Sequence, residues 1–147
     1  MNVRPVAPAD AAQWRRMRLA LWPDSVPDSV PDEIDQFFTG LLHEPLAVLV
    51  ADDGGALVGF VELSIRNIAE GCSTDRVAYL EGWWVDVGKR RQGIGRALVR
   101  AAEEWGRAQG CSEFASDTEI DNEDSAKAHA ALGFEEVERI RCFRKSL

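Results

Sequence analysis

The stretch VAYLEGWWVDVGKRRQGIGRALVRAAEEWGRAQG, residues 77–110, decides the fold. Its first part, Val77 to Val87, is rich in β-branched and aromatic side chains and predicts the longest strand of the chain. The strand runs directly into Gly88, Lys89, Arg90, Arg91, Gln92, Gly93, Ile94 and Gly95. A helical period then takes over, with Ile94, Leu98, Ala102 and Trp105 on one face and Gly110 as the expected stop. A strand, a glycine-rich turn and a helix in this order aim a row of backbone N–H groups and a helix N-terminus at one point. That point favours an anion, because the helix dipole and the unsatisfied N–H groups both present positive charge. Gly93 and Gly95 permit close approach of the backbone to a pyrophosphate, and Arg90, Arg91 and Arg96 add full charges. The spacing is not that of a nucleotide-hydrolase phosphate loop, which needs Lys and then Ser or Thr after its last glycine. It also lacks the third glycine of the dinucleotide fingerprint.

Upstream of this unit, Asn2 to Val6 predicts a short edge strand, and Asp10 is placed to cap a helix carrying Trp14, Met17 and Leu21 that Pro23 ends. Residues 24–31 mix Pro, Asp and Ser as a loop, after which Asp32 and Glu33 open a helix with Ile34, Phe37, Phe38 and Leu41 on one face. Ala47 to Ala51 and Leu57 to Ile65 predict two strands of a hairpin turned by Asp52, Asp53, Gly54 and Gly55. Downstream, Glu113 to Ser116 predicts a short strand, Asn122 to Leu132 a helix ending at Gly133, and Phe134 to Lys145 two closing strands. The expectation is an α/β fold: a single domain over residues 1–147, with a mixed, mostly antiparallel sheet flanked by helices.

With 147 residues, 46% of them hydrophobic, the chain can bury one core and has no room for a second domain. The net charge of -8 disfavours a nucleic acid as partner, since such binding draws its affinity from Lys and Arg. A cationic small molecule would be attracted instead. The first ten residues lack the apolar run of a signal peptide, and no later segment reaches membrane-spanning length, so a cytoplasmic protein without a membrane partner is expected. Cys72, Cys111 and Cys142 stand in no metal-ligand or disulfide pattern, and no metal is expected.

Arg90-x-x-Gly93-x-Gly95 after a long strand is similar to the acyl-CoA pyrophosphate loop of the GNAT superfamily of N-acetyltransferases. Downstream, Asn122, Ser125, His129, Leu132, Gly133 and Phe134 resemble that superfamily's later helix signature. The resemblance implies two splayed strands forming an acetyl-CoA cleft, and direct attack of a substrate amine on the thioester with no covalent enzyme intermediate. It places backbone contacts to the acetyl carbonyl at Trp83 and Val85, phosphate contacts at Arg90, Arg91, Gln92, Gly93, Ile94, Gly95 and Arg96, and Asn122 against the pantetheine arm or the departing sulfur. Val87 stands where the superfamily often has proline.

Further segments, Leu21-Trp22-Pro23, Leu80-Glu81-Gly82, Ala115-Ser116-Asp117-Thr118, Leu132 to Glu136, Glu138-Arg139 and Phe143 to Lys145, resemble the aminoglycoside 6'-N-acetyltransferases over nearly the whole chain. A homodimer is implied by the same resemblance. An aminoglycoside is polycationic and rich in hydroxyls, so its site should join carboxylates to an aromatic platform. Trp22 is the candidate platform, and Glu81, Asp117 and Glu138 are the candidate substrate-binding acids. Asp117 or Glu81 is also the candidate catalytic base, because a protonated amine must be bound and then deprotonated. Each of the two acids could equally be a salt-bridge partner. Asp24, Asp28, Asp32, Glu33 and Asp35 carry no neighbouring Lys or Arg and could line the rim, or be ordinary loop and helix-start acids. The general acid is unassigned. His129 stands where many superfamily members have tyrosine and reads first as a helix-packing side chain and second as a general acid, and Phe143 also replaces a tyrosine of the resembled family. His43 reads as a surface residue at a helix end, and Ile68 is the nearest apolar substitute in a loop where some relatives carry an aromatic. Two other functions fit the same motifs: acetylation of another small amine, and a non-catalytic acyl-CoA-binding module. The paired acids Glu81 and Asp117 weigh against the second, since a sensor would not need them.

Overall fold

The structure is a computed structural model and describes residues 1–24, 33–42 and 44–147. In chain order it contains β1 (Asn2–Pro5), α1 (Ala11–Leu21), α2 (Glu33–Phe38), β2 (Ala47–Asp53), β3 (Ala56–Arg66), β4 (Val77–Val85), α3 (Ile94–Ala108), β5 (Glu113–Ser116) and α4 (Glu123–Ala131). The strands form one open sheet in the order β1-β2-β3-β4-β5. The first four are antiparallel, and β5 joins β4 in parallel.

Helices cover both faces, and this explains why β3 reads as an almost continuous apolar run. On one face α3 packs Ile94, Leu98, Val99 and Ala102 onto Val61, Leu63, Leu80 and Val85. On the other, Trp14, Met17 and Ile34 from α1 and α2 pack onto Val48, Val50, Phe60 and Trp84. Phe37 and Phe38 meet the Trp14 ring edge-on at 5.2 and 5.8 Å. Truncating any fully buried leucine of these layers, such as Leu98, would cost about 2–5 kcal/mol.

Two irregularities shape the site. First, Glu62 pairs with Gly82 while Leu63 pairs with Leu80, so Glu81 is an extra residue in a β-bulge. Second, the β4–β5 ladder ends at Leu80 and Ser116, whereas β4 continues to Val85. Beyond Leu80 the two strands separate. Asp86 donates its N–H to the Val58 carbonyl, and with strand alternation the N–H groups of Trp83 and Val85 therefore point away from β3, into this opening.

Several expectations need correction. The Asp10 carboxylate does not cap α1; it takes two bonds from the Arg4 guanidinium, at 2.7 and 3.0 Å, and one from the Ala7 N–H. α2 ends at Phe38, leaving Leu41 outside it and exposed. β4 stops at Val85, and Val87 lies in a short 3-10 turn. The two closing strands expected between Phe134 and Lys145 do not form: residues 132–147 contain no strand and join no ladder of the sheet, although Phe134 packs on Phe114 of β5. Asp28, Asp32 and His43 lie outside the described residues.

Candidate active site

The turn between β4 and α3 is built to face a ligand with its backbone. Gly93 sits at the N-cap of α3 with φ +84°, a conformation that disfavours side chains, and a Cβ there would meet no protein atom within 4 Å. Arg91 is also left-handed, at φ 62°. Arg91, Gln92 and Arg96 are exposed around this opening. Arg90 instead folds back, donating from Nε to the Val85 carbonyl at 2.9 Å, and braces the turn onto the end of β4. Gly95 has a different role: a Cβ at this position would lie 3.3 Å from the Trp83 ring, so its absence lets Trp83 lie under the start of α3. Acetyl-CoA fits this set of groups, with an open backbone at the N-terminus of a 15-residue helix for its phosphates and a strand opening for its acyl end.

On the α1 side of β4, a cleft of about 190 Å³ is lined by Arg18, Trp22, Glu44, Pro45, Glu62 and Glu81. Trp22 lies on β4 where the bulge provides a flat seat, since a Cβ at Gly82 would come within 2.7 Å of its ring. The Arg18 guanidinium stacks 5.4 Å from the Trp22 ring and donates to Glu62 from Nε at 2.7 Å and to Glu33 from Nη1 at 2.9 Å. The rim acid Glu33 is therefore compensated by a cation from α1, contrary to the sequence reading, because pairs between helices cannot be seen in linear spacing. Asp24 and Asp35 are exposed. Glu62 is fully buried and also accepts from Trp14 Nε1 at 3.0 Å. Burial pushes its carboxyl above the usual range, against the opposing pull of Arg18.

The two candidate bases belong to one network. Glu81 holds the Arg66 guanidinium bidentately, at 2.9 and 2.8 Å, and accepts from the Ser64 hydroxyl at 2.6 Å. Arg66 in turn lies 3.5 Å above the Tyr79 ring. The Tyr79 hydroxyl donates to Asp117 Oδ2 at 2.6 Å. Burial first, and this bond second, push the Tyr79 hydroxyl well above its ordinary pKa, so it remains a donor. Glu81 is thus neutralised by a cation, whereas Asp117, exposed just past the end of β5, is positioned by a neutral hydroxyl.

Two further candidate groups belong to α4 and its cap. Asn122 Oδ1 accepts from the Ser125 N–H at 3.1 Å and caps α4. His129 Nδ1 lies 2.7 Å from the Ser125 carbonyl, which requires Nδ1–H to donate. Its Nε2 then accepts from the Ser116 hydroxyl at 2.8 Å, and the ring meets Trp83 edge-on at 5.3 Å.

A family model described as "Acetyltransferase (GNAT) family" matches residues 11–134, most of the chain and every element from α1 to α4. The chain belongs to the GNAT acetyltransferase family. Among its relatives, the aminoglycoside N(6')-acetyltransferase type 1 of Klebsiella aerogenes is 54% identical over 99% of this chain and 96% of its own length. The protein of the same name from Serratia marcescens is 41% identical over 91% of each chain. The solved structure of AAC(6')-Iy with a bisubstrate analogue, CoA-S-monomethyl-acetylneamine, superposes with a TM-score of 0.90 at 35% identity, covering 99% of this chain and 98% of that one.

Within this GNAT fold the structure brings Trp22 and Glu81 to one cleft, joins Glu81 to Asp117 through Arg66 and Tyr79, and sets Trp83 and Val85 on the strand that leads to the Gly93 turn. Glu138 is not brought to the cleft; it is exposed on the segment after α4. Sequence reasoning missed Tyr79, Arg66 and Ser64, as well as Arg18, Glu44 and Glu62. A polar Ser64 and an acidic Glu62 inside the apolar run of β3 were the one available signal.

Proposed function

We propose that the chain transfers the acetyl group of acetyl-CoA to the 6'-amino group of aminoglycosides and so confers resistance to them. The observation that carries this reading is the linked pair Glu81 and Asp117, held by Arg66 and Tyr79 at the separation of β4 and β5, with the Trp22 cleft beside it. The names of the full-length relatives support the same substrate class. Acetyl-CoA supplies an acetyl group activated as a thioester. Backbone N–H groups from Gly93 to Arg96, with the Arg91, Gln92 and Arg96 side chains, hold its phosphates, and Ile94 anchors the helix that presents them. Arg90 keeps the turn in place. The N–H groups of Trp83 and Val85 face the acyl carbonyl and stabilise developing negative charge, and Asn122 uses its amide N–H toward the pantetheine arm.

Trp22, Glu81 and Glu44 bind the sugar face and its ammonium groups. Asp117 accepts the proton of the 6'-ammonium, directly or through one water, and the free amine attacks the thioester carbonyl with no covalent enzyme intermediate; the C–S bond then breaks, and the CoA thiolate leaves with the proton that the new amide nitrogen sheds. The protein works as a homodimer in the cytoplasm, without nucleic-acid or membrane partners. Incubation with acetyl-CoA and a kanamycin-type aminoglycoside, followed by mass spectrometry and NMR of the product, tests the reaction, the substrate class and the position together. The expected product carries one acetyl group on the 6' nitrogen. Acetylation elsewhere, or acetylation of unrelated amines alone, would overturn the reading.

A further inference from the structure

Among the described residues, the indole nitrogen of Trp83 is the one buried side-chain nitrogen or oxygen without a hydrogen-bond partner. A buried donor left unpaired is costly, and tryptophan N–H groups in protein interiors ordinarily find an acceptor. The same chain meets that demand elsewhere: the fully buried Trp14 donates from Nε1 to Glu62 at 3.0 Å.

The surroundings of Trp83 explain why its own chain supplies no acceptor. A Cβ on Gly95 would lie 3.4 Å from the indole nitrogen, so the N–H edge of the ring lies against the first turn of α3. The opening turn of a helix presents unpaired N–H groups rather than free carbonyls, and the Gly93 carbonyl at its start already accepts from the Ala97 N–H. The His129 ring, edge-on to Trp83 at 5.3 Å, has both nitrogens engaged, Nδ1 with the Ser125 carbonyl and Nε2 with the Ser116 hydroxyl. The indole N–H is a donor among donors, and its acceptor must come from outside the chain.

The place of Trp83 in the fold says what that acceptor belongs to. Trp83 stands on β4 beyond Leu80, where the ladder to β5 ends, and its backbone N–H points into the resulting opening. Its indole reaches Gly95, next to the Gly93 turn. One residue thus touches both ends of the path from the phosphate-binding turn to the acyl-binding strand. In acetyl-CoA that path is the pantetheine arm, whose amide groups carry carbonyl oxygens. The phosphates have the exposed Arg91, Gln92 and Arg96, whereas the indole packs on the sheet side of α3.

We propose that the Trp83 indole N–H donates to an amide carbonyl of the pantetheine arm and fixes the arm's course between the α3 turn and β4. The proposal rests on the acetyl-CoA reading above and adds a positioning side chain to it. Trp83 is only half-buried as a residue, so a modest turn of its ring brings the N–H edge to the opening.

Indole N–H resonances of isotope-labelled protein test this, with the Trp83 signal assigned from through-bond spectra and from its loss in Trp83→Phe. Acetyl-CoA should move that signal downfield, as a new hydrogen bond requires. Adenosine 3'-phosphate 5'-diphosphate, which has the phosphates of CoA and no arm, should leave it in place when calorimetry shows saturation. Trp83→Phe, with melts to check folding, should bind acetyl-CoA about tenfold more weakly and the nucleotide as wild type does. A shift with both ligands would assign the acceptor to a phosphate and overturn the arm contact. An unmoved signal with acetyl-CoA bound would overturn the donor role while leaving the acetyl-CoA reading standing. No binding of acetyl-CoA at all would overturn both.

Discussion

The Tyr79 hydroxyl donates to Asp117 Oδ2 at 2.6 Å, while the Arg66 guanidinium bound to Glu81 lies 3.5 Å over the Tyr79 ring. Removing that one donor separates positioning from charge. In Tyr79→Phe the Asp117 carboxylate keeps its charge but loses the hydroxyl that orients it. The variant should therefore lose about tenfold in kcat/KM for the aminoglycoside, with acetyl-CoA affinity unchanged. Wild-type kcat/KM in a variant with an ordinary melt would show that this bond does not position the base.

The seat of Trp22 is equally testable. Trp22→Ala should weaken aminoglycoside binding and leave acetyl-CoA binding unchanged. Gly82→Ala should do the same with the indole itself retained, because the new Cβ would come within 2.7 Å of the ring and displace it. Calorimetry with each ligand checks both variants. Equal losses for both ligands would assign Trp22 to the core, where Phe60 already meets its edge at 6.5 Å.

Gly93→Val should weaken acetyl-CoA binding sharply and keep the fold. At φ +84° a β-branched residue costs about 1–3 kcal/mol, but no protein atom stands within 4 Å of the new Cβ. The obstruction falls on whatever approaches the turn. Wild-type affinity by calorimetry, with an ordinary melt, would show that the Gly93 turn does not hold the phosphates.

The stretch from Val77 to Gly110 was readable because its period changes from strand to helix at a glycine-rich turn, and local patterns carry that information. The bulge at Glu81 was not readable, since a bulge exists only relative to the strand opposite. The pairing of Arg66 with Glu81 spans a loop, and that of Arg18 with Glu33 joins two helices; neither follows from spacing. The segment from Phe134 to Lys145 has strand-like composition, yet it forms no strand and joins no ladder of the sheet. Glu81 and Asp117 were visible as acids in apolar surroundings, but only the fold shows that one holds the Arg66 guanidinium bidentately and the other takes the Tyr79 hydroxyl.

That difference is the central claim, and kcat/KM against pH for wild type, Asp117→Asn, Glu81→Gln and the double variant tests it most directly. Loss of a general base typically costs about 10²- to 10⁴-fold. Asp117→Asn should therefore fall by at least roughly a hundredfold for the antibiotic with acetyl-CoA affinity unchanged. Glu81→Gln, which loses a carboxylate already neutralised by Arg66, should fall less and retain the wild-type acid limb. Four similar profiles, from proteins with similar melts, would contradict the assignment of Asp117 as the base.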